Sequence, residues 1–103
     1  MSPPSESGHL SNNHRDTLMK MFQHPTSRNI EWPATVSLLS AIGSVEERHE
    51  GKYRVKVGDA IEFLAPPKHK NLDVDQVVKL RRMLTAAGYD TLVREWEAEG
   101  KQV

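Results

Sequence analysis

Five residues near the middle of the chain constrain the fold most. Tyr53, Val55 and Val57 alternate with Arg54 and Lys56. A period of two places the apolar side chains on one face of a strand and the basic ones on the other. Gly58-Asp59 follows at once, and glycine accepts the positive φ of a two-residue hairpin turn. A further strand then opens at Ala60. Ile61 and Phe63 are expected on its core face with Glu62 outward, and Pro66-Pro67 ends it. Upstream, Ser44 to His49 reads as the first strand, joined to Tyr53 through a turn at Glu50-Gly51. The expectation is a three-stranded antiparallel sheet with one apolar face, which helices must cover.

Helical spacing supplies those helices. His14 to Gln23 carries Leu18, Met21 and Phe22 on one stripe, with Asn13 placed to cap it and Asp16 favourable in its first turn. Pro25 ends it. Pro33 suits the first position of a second helix, whose buried face takes Val36, Leu39 and either Leu38 or Ile42. Gly43 then stops it. The longest helix is expected over 73–87. Asp73 and Gln76 form a capping box, and Val77, Leu80, Leu84 and Ala87 form its core stripe. Gly88 ends it, and 90–99 adds a short helix that docks through Leu92, Val93 and Trp96. Residues 1–12 are Ser-, Pro-, Gly- and Asn-rich and read as a disordered arm, residues 13–99 as one domain, and 100–103 as a tail.

The chain of 103 residues is long enough for one modest core. It holds no cysteine, which excludes disulfides and thiolate metal sites. No run of residues approaches the length and apolarity of a membrane span, and the N-terminus lacks a signal pattern. A cytoplasmic protein with no membrane partner, no metal and no cofactor is expected. Basic and acidic residues each number 14, so the net charge is zero. The distribution is uneven. Lys68, Lys70, Lys79, Arg81 and Arg82 precede Tyr89 against Asp73 and Asp75. Beyond it, Asp90, Glu95, Glu97 and Glu99 outnumber Arg94 and Lys101. A basic segment followed by an acidic tail is either a docking feature or two solvated surfaces of opposite sign.

The order of elements is helix, helix, three strands, helix, helix. Packing the second and third helices on one sheet face gives an α+β domain. It is a double-stranded-RNA-binding-domain-like α-β-β-β-α arrangement with an extra N-terminal helix and a short C-terminal tail helix. The residues that fill this frame resemble the HicA family of toxin–antitoxin toxins. Trp32-Pro33-Ala34-Thr35-Val36-Ser37-Leu38-Leu39-Ser40-Ala41-Ile42-Gly43 is similar to the opening helix of HicA toxins. Glu50-Gly51 with the strand Tyr53–Val57 resembles their glycine-led central strand. Pro66 to Leu72, with the helix ending Leu84-Thr85-Ala86-Ala87-Gly88-Tyr89, resembles their Pro-rich turn and last helix. The resemblance covers 32–89. It implies an RNA-binding protein, usually an mRNA interferase, neutralised by a HicB antitoxin. Where HicA toxins carry a histidine just after the central-strand glycine, this chain has Tyr53 and Arg54. Where they carry a second one between prolines, it has Pro67.

Metal-independent RNA cleavage needs a base for the 2′-hydroxyl and an acid for the leaving oxygen, and histidine titrates in the right range for both. Tyrosine ionises near pH 10, and arginine stays protonated. Tyr53 and Arg54 therefore do not replace the missing histidine. The remaining candidates are His49, at the end of the first strand, and His69, between Lys68 and Lys70. Lys68-His69-Lys70 reads either as a phosphate clamp ahead of a helix N-terminus or as an exposed polar turn. Lys79, Arg82 and Arg54 are further candidates for RNA contact. Arg54 and Lys56 have the alternative of pairing across the sheet with Glu62 or Glu47. Trp32 and Trp96 read as packing residues, and His9 and His14 suggest no metal site. Three functions remain open: RNA binding without cleavage, cleavage through His49 or His69, and a protein-interaction module that uses the acidic tail or an exposed sheet edge.

Overall fold

The structure is a computed structural model that describes residues 10–100. The elements are α1 (Asn12–Met21), α2 (Trp32–Ile42), β1 (Ser44–Glu47), β2 (Tyr53–Val57), β3 (Ala60–Leu64), α3 (Val74–Ala86) and α4 (Tyr89–Gly100). The strands pair antiparallel in the order β1-β2-β3. Helices α2 and α3 pack on the sheet, α1 packs on α2 and α3, and α4 packs on α3. The molecule is thus α+β, with all four helices on one side of a three-stranded sheet.

The core follows from the helical stripes. Leu18 and Met21 of α1, Leu38 and Leu39 of α2, Val55 and Val57 of β2, and Val77, Leu80 and Leu84 of α3 are all buried. Each such side chain contributes roughly 1.5–3 kcal/mol on leaving water. Met83 joins the α3 stripe at the position one turn after Leu80, and Leu92, Val93 and Trp96 seal α4. Thr35 is fully buried on α2, where its hydroxyl donates to the Glu31 carbonyl at 2.9 Å. It takes the core position expected of Val36, which is half-buried.

The caps explain the helix boundaries. Asp73 and Gln76 form the expected reciprocal capping box at α3. At α1 the box is instead built by Ser11 and His14, so this helix starts before the position assigned from sequence. The expected arm over 1–12 lies mostly outside the described residues. Of its last three residues, Leu10 is buried, Ser11 caps α1 and Asn12 opens it. Arg15 lies over the Trp96 ring at 4.6 Å, a cation–π contact that joins α1 to α4.

The third strand corrects the reading of its faces. Ile61 and Phe63 are 44% and 53% exposed, and Glu62 and Leu64 point toward the helices. The cause is register. A two-residue turn sets Val57 opposite Ala60, so Val55 faces Glu62 and Tyr53 faces Leu64. Opposed residues share a face, so Ile61 and Phe63 join Lys56 and Arg54 on the outer side. Gly58 has φ +60 at the first turn position, where a II′ turn requires it. The other hairpin is wider than expected, with residues 48–52 between the strands. β1 ends at Glu47, and a 3-10 turn at His49–Gly51 places both Glu50 (φ 65) and Gly51 (φ 75) in the left-handed region.

Gly43 ends α2 for a different reason from the usual glycine cap. Its φ of −161 is extended. A Cβ there would collide with the Lys56 carbonyl oxygen, so glycine is needed for the close approach of the chain to β2. Gly43→Ala is expected to lower stability by about 1–3 kcal/mol, read from the urea midpoint.

Tyr89 opens α4 and is buried, which raises its phenol above the ordinary value of 10.0. The unfolded chain ionises first, so stability present below about pH 10 is lost as pH climbs from there through the higher folded value. Tyr89→Phe should flatten this alkaline loss in denaturation curves recorded from pH 8 upward.

Candidate nucleic-acid interface

The segment between β3 and α3 is anchored at both ends. At its start, the Gln76 side-chain amide donates to the Ala65 carbonyl at 2.7 Å. At its finish, it pairs with the residues ahead of α2. The Trp32 N–H donates to the Lys70 carbonyl at 3.2 Å, and the Leu72 N–H donates to the Ile30 carbonyl at 2.8 Å. Glu31 and Asn71 form an antiparallel bridge between these two bonds. Ile30 and Leu72 are buried beneath it. Residues 66–69 are thus carried on a fixed base, with Lys68 and His69 exposed.

The register places other candidates at the same end of the sheet. Glu47, Tyr53 and Leu64 lie side by side across the three strands. The hairpin tip over 48–52 and the segment that starts at Ala65 therefore leave from one end. His49 and His69, the two histidines suited to acid–base work, both belong to this end and both are exposed. No side-chain hydrogen bond orients either ring among the described residues. Trp32 and Tyr53 pack edge to face with centroids 5.4 Å apart. Both are packing residues.

The remaining candidate cations divide by partner. Lys70 pairs with Glu31 at 3.5 Å, yet its side chain keeps 73% exposure. Arg54 meets Glu46 at 4.0 Å, its register neighbour, and not Glu62 or Glu47. Glu62 faces the helices and lies 4.0 Å from Lys79. Lys79 also donates to the Phe63 carbonyl at 3.5 Å, so it lies along the free edge of β3. Arg82, three residues further along α3, is exposed. Lys68 and Lys56 meet no carboxylate among the described residues. Arg81 contributes nothing to this surface. It donates from Nε to the Met21 carbonyl at 2.8 Å and from Nη2 to Thr26 Oγ1 at 3.2 Å, and so ties the end of α1 to α3.

The start of α3 is not an open anion site. Asp73 accepts from the Gln76 N–H at 2.8 Å and leaves its own carboxylate beside the first turn. An anion held here relies on side chains of the preceding loop.

Sequence reasoning misses the role of His14. Its Nε2 lies 2.8 Å from Ser37 Oγ, in a cleft of about 390 Å³ between α1 and α2. The Ser11 N–H donates to Nδ1 at 3.3 Å. A neutral ring that accepts at Nδ1 carries its hydrogen on Nε2, so it donates to Ser37 and cannot deprotonate it. The pair is a cross-helix tie and not an activated serine. The sequence signal that points to it is the position of His14 three residues after Ser11, where a capping box wants a side-chain acceptor.

No group of three or more His, Asp or Glu side chains that could hold a metal ion forms among the described residues. No described helix is long and apolar enough to cross a membrane. No family model, curated protein or solved structure matches this chain.

Gln76→Ala removes the bond to Ala65 and half of the α3 capping box. It should cost about 1–2 kcal/mol and speed tryptic cleavage after Lys68 or Lys70 relative to the intact protein.

Proposed function

We propose that this protein binds RNA through its phosphate backbone, as a HicA-like member of the toxin–antitoxin type that grips RNA without cleaving it. The observation that carries this reading is the anchored loop over 65–72. Two backbone bonds and the Gln76 side chain hold it, and it presents Lys68, His69 and Lys70 together in solvent. A loop already held in place loses little freedom when a ligand docks, so its cations act at low entropic cost. Lys79 and Arg82 extend the positive surface along α3, and Arg54 extends it onto the sheet.

The order α2, β1, β2, β3, α3 fits the double-stranded-RNA-binding-domain-like arrangement, with α1 and α4 as additions. In that arrangement a loop and a helix track the phosphates of A-form RNA without reading bases. The residues at the HicA histidine positions support the reading without cleavage. Tyr53 is half-buried against Trp32, Arg54 cannot give up its proton, and Pro67 has no titratable group. A HicB-like antitoxin is the natural protein partner under this reading.

A second reading keeps His49 and His69 as catalytic groups, because both lie at one end of the sheet. Expression of the intact protein would then arrest growth, and His49→Ala or His69→Ala would relieve the arrest. The favoured reading expects no arrest and intact total RNA after incubation.

Lys68→Ala with Lys70→Ala should weaken RNA binding. The slope of log affinity against log salt should become shallower by about 0.7–0.9 for each phosphate no longer neutralised. Unaltered affinity and slope for every RNA tested would remove the proposal.

A further inference from the structure

The outer face of the sheet carries two rows of side chains, of which the phosphate-binding reading above uses only Arg54. One row is Glu46, Arg54 and Phe63, and the other is Ser44, Lys56 and Ile61. No described helix covers this face, since the helices pack on the opposite one. Phe63 is 53% exposed and Ile61 44% exposed, each directly across from a cation on β2. The Phe63 carbonyl turns toward Lys79 and so away from β2. The Arg54–Phe63 pair is therefore the closely spaced, non-hydrogen-bonded kind, although the Arg54 guanidinium leans toward Glu46 on β1, 4.0 Å away.

We infer that this outer face binds single-stranded RNA, with an unpaired base stacked on Phe63 and its flanking phosphates on Arg54 and Lys56. The inference rests on the RNA-binding reading above and names the part of the RNA that the sheet takes. Charge complementarity selects the occupant. The face presents an open aromatic ring across from Arg54 and diagonal to Lys56, with Glu46 as the single carboxylate, and a third cation, Lys79, lies at its edge. Unpaired RNA offers the matching alternation of π-face and phosphate, whereas a duplex hides its bases within the stack. A protein partner fits less well. The face displays six side chains and two large apolar residues, far short of the roughly 20–30 residues a side in a standard protein interface. A second copy would offer one carboxylate, Glu46, to two cations, and Glu46 already lies 4.0 Å from Arg54 in its own sheet.

The test uses the full chain and three labelled probes: a uridine 12-mer, a blunt RNA duplex, and a duplex with a uridine overhang. Binding is read by fluorescence anisotropy. Phe63→Ala should weaken the 12-mer and the overhang probe about 10- to 100-fold while leaving the blunt duplex unchanged. Phe63→Trp should restore the 12-mer, because any aromatic ring supplies the stacking surface. Lys68→Ala with Lys70→Ala should do the reverse and weaken the blunt duplex most. Phe63 is exposed, so its variants are expected to keep the wild-type denaturation midpoint. If wild-type protein binds the probes and Phe63→Ala binds the 12-mer equally well, the stacking inference is overturned and phosphate binding stands. If Phe63→Ala instead abolishes self-association or capture of a protein with RNA affinity unchanged, the face is a protein surface and the inference is again overturned. If no probe binds the wild type, the RNA-binding reading itself fails.

Discussion

Much of the architecture around the β3–α3 loop depends on two backbone hydrogen bonds between segments that are far apart in sequence. Residues 30–32 pair with residues 70–72, and the pairing bridges the entry to α2 and the entry to α3. It satisfies polar groups beside the buried Ile30 and Leu72, where an unpaired amide would be costly. It also fixes the direction in which the intervening loop leaves the sheet. Neither helix could hold that loop alone. Both are needed, because Gln76 reaches one end of it and Trp32 the other.

The same economy governs charge. The chain is neutral as a whole, and several of its cations are engaged locally. Lys20 meets Asp16, Arg48 meets Glu46 and Arg94 meets Asp90, all on exposed surface where such pairs contribute little. Arg81 is engaged more deeply, across α1 and α3. Among the described residues Arg28, Lys52, Lys56, Lys68 and Arg82 are exposed and meet no carboxylate, and they are spread over the connector before α2, the β1–β2 hairpin, the outer sheet face, the β3–α3 loop and α3.

Legibility in the sequence follows the range of the interactions. The capping box of α3 and the docking residues of α4 are local patterns, and the structure carries them as read, while the α3 stripe holds at Val77, Leu80 and Leu84 and adds Met83, with Ala87 a half-buried cap beyond the helix. The faces of β3 are misread when apolar character is weighed above turn length. Counting across Gly58-Asp59 from Val57 to Ala60 puts Phe63 outside. Gly43 looks like an ordinary helix stop, and only the approach of the Lys56 carbonyl reveals its purpose. The bridge between Glu31 and Asn71 leaves no trace in periodicity at all, since it joins two irregular segments. For the candidate site, the basic residues themselves are legible. Their division into engaged and available ones is not, because it depends on which acidic neighbour the register supplies.

The hairpin at Gly58 has a consequence for how such a chain diversifies. If one residue were inserted between Val57 and Ala60 and the two-residue turn were kept, the parity of the entire following strand would shift. Glu62 would turn to solvent, and Phe63 with Ile61 would turn beneath the helices. The apolar character of the open sheet face is therefore set by the pairing that the turn fixes as much as by the residues of the strand, so an alteration that touches none of the exposed side chains could remove it in one step.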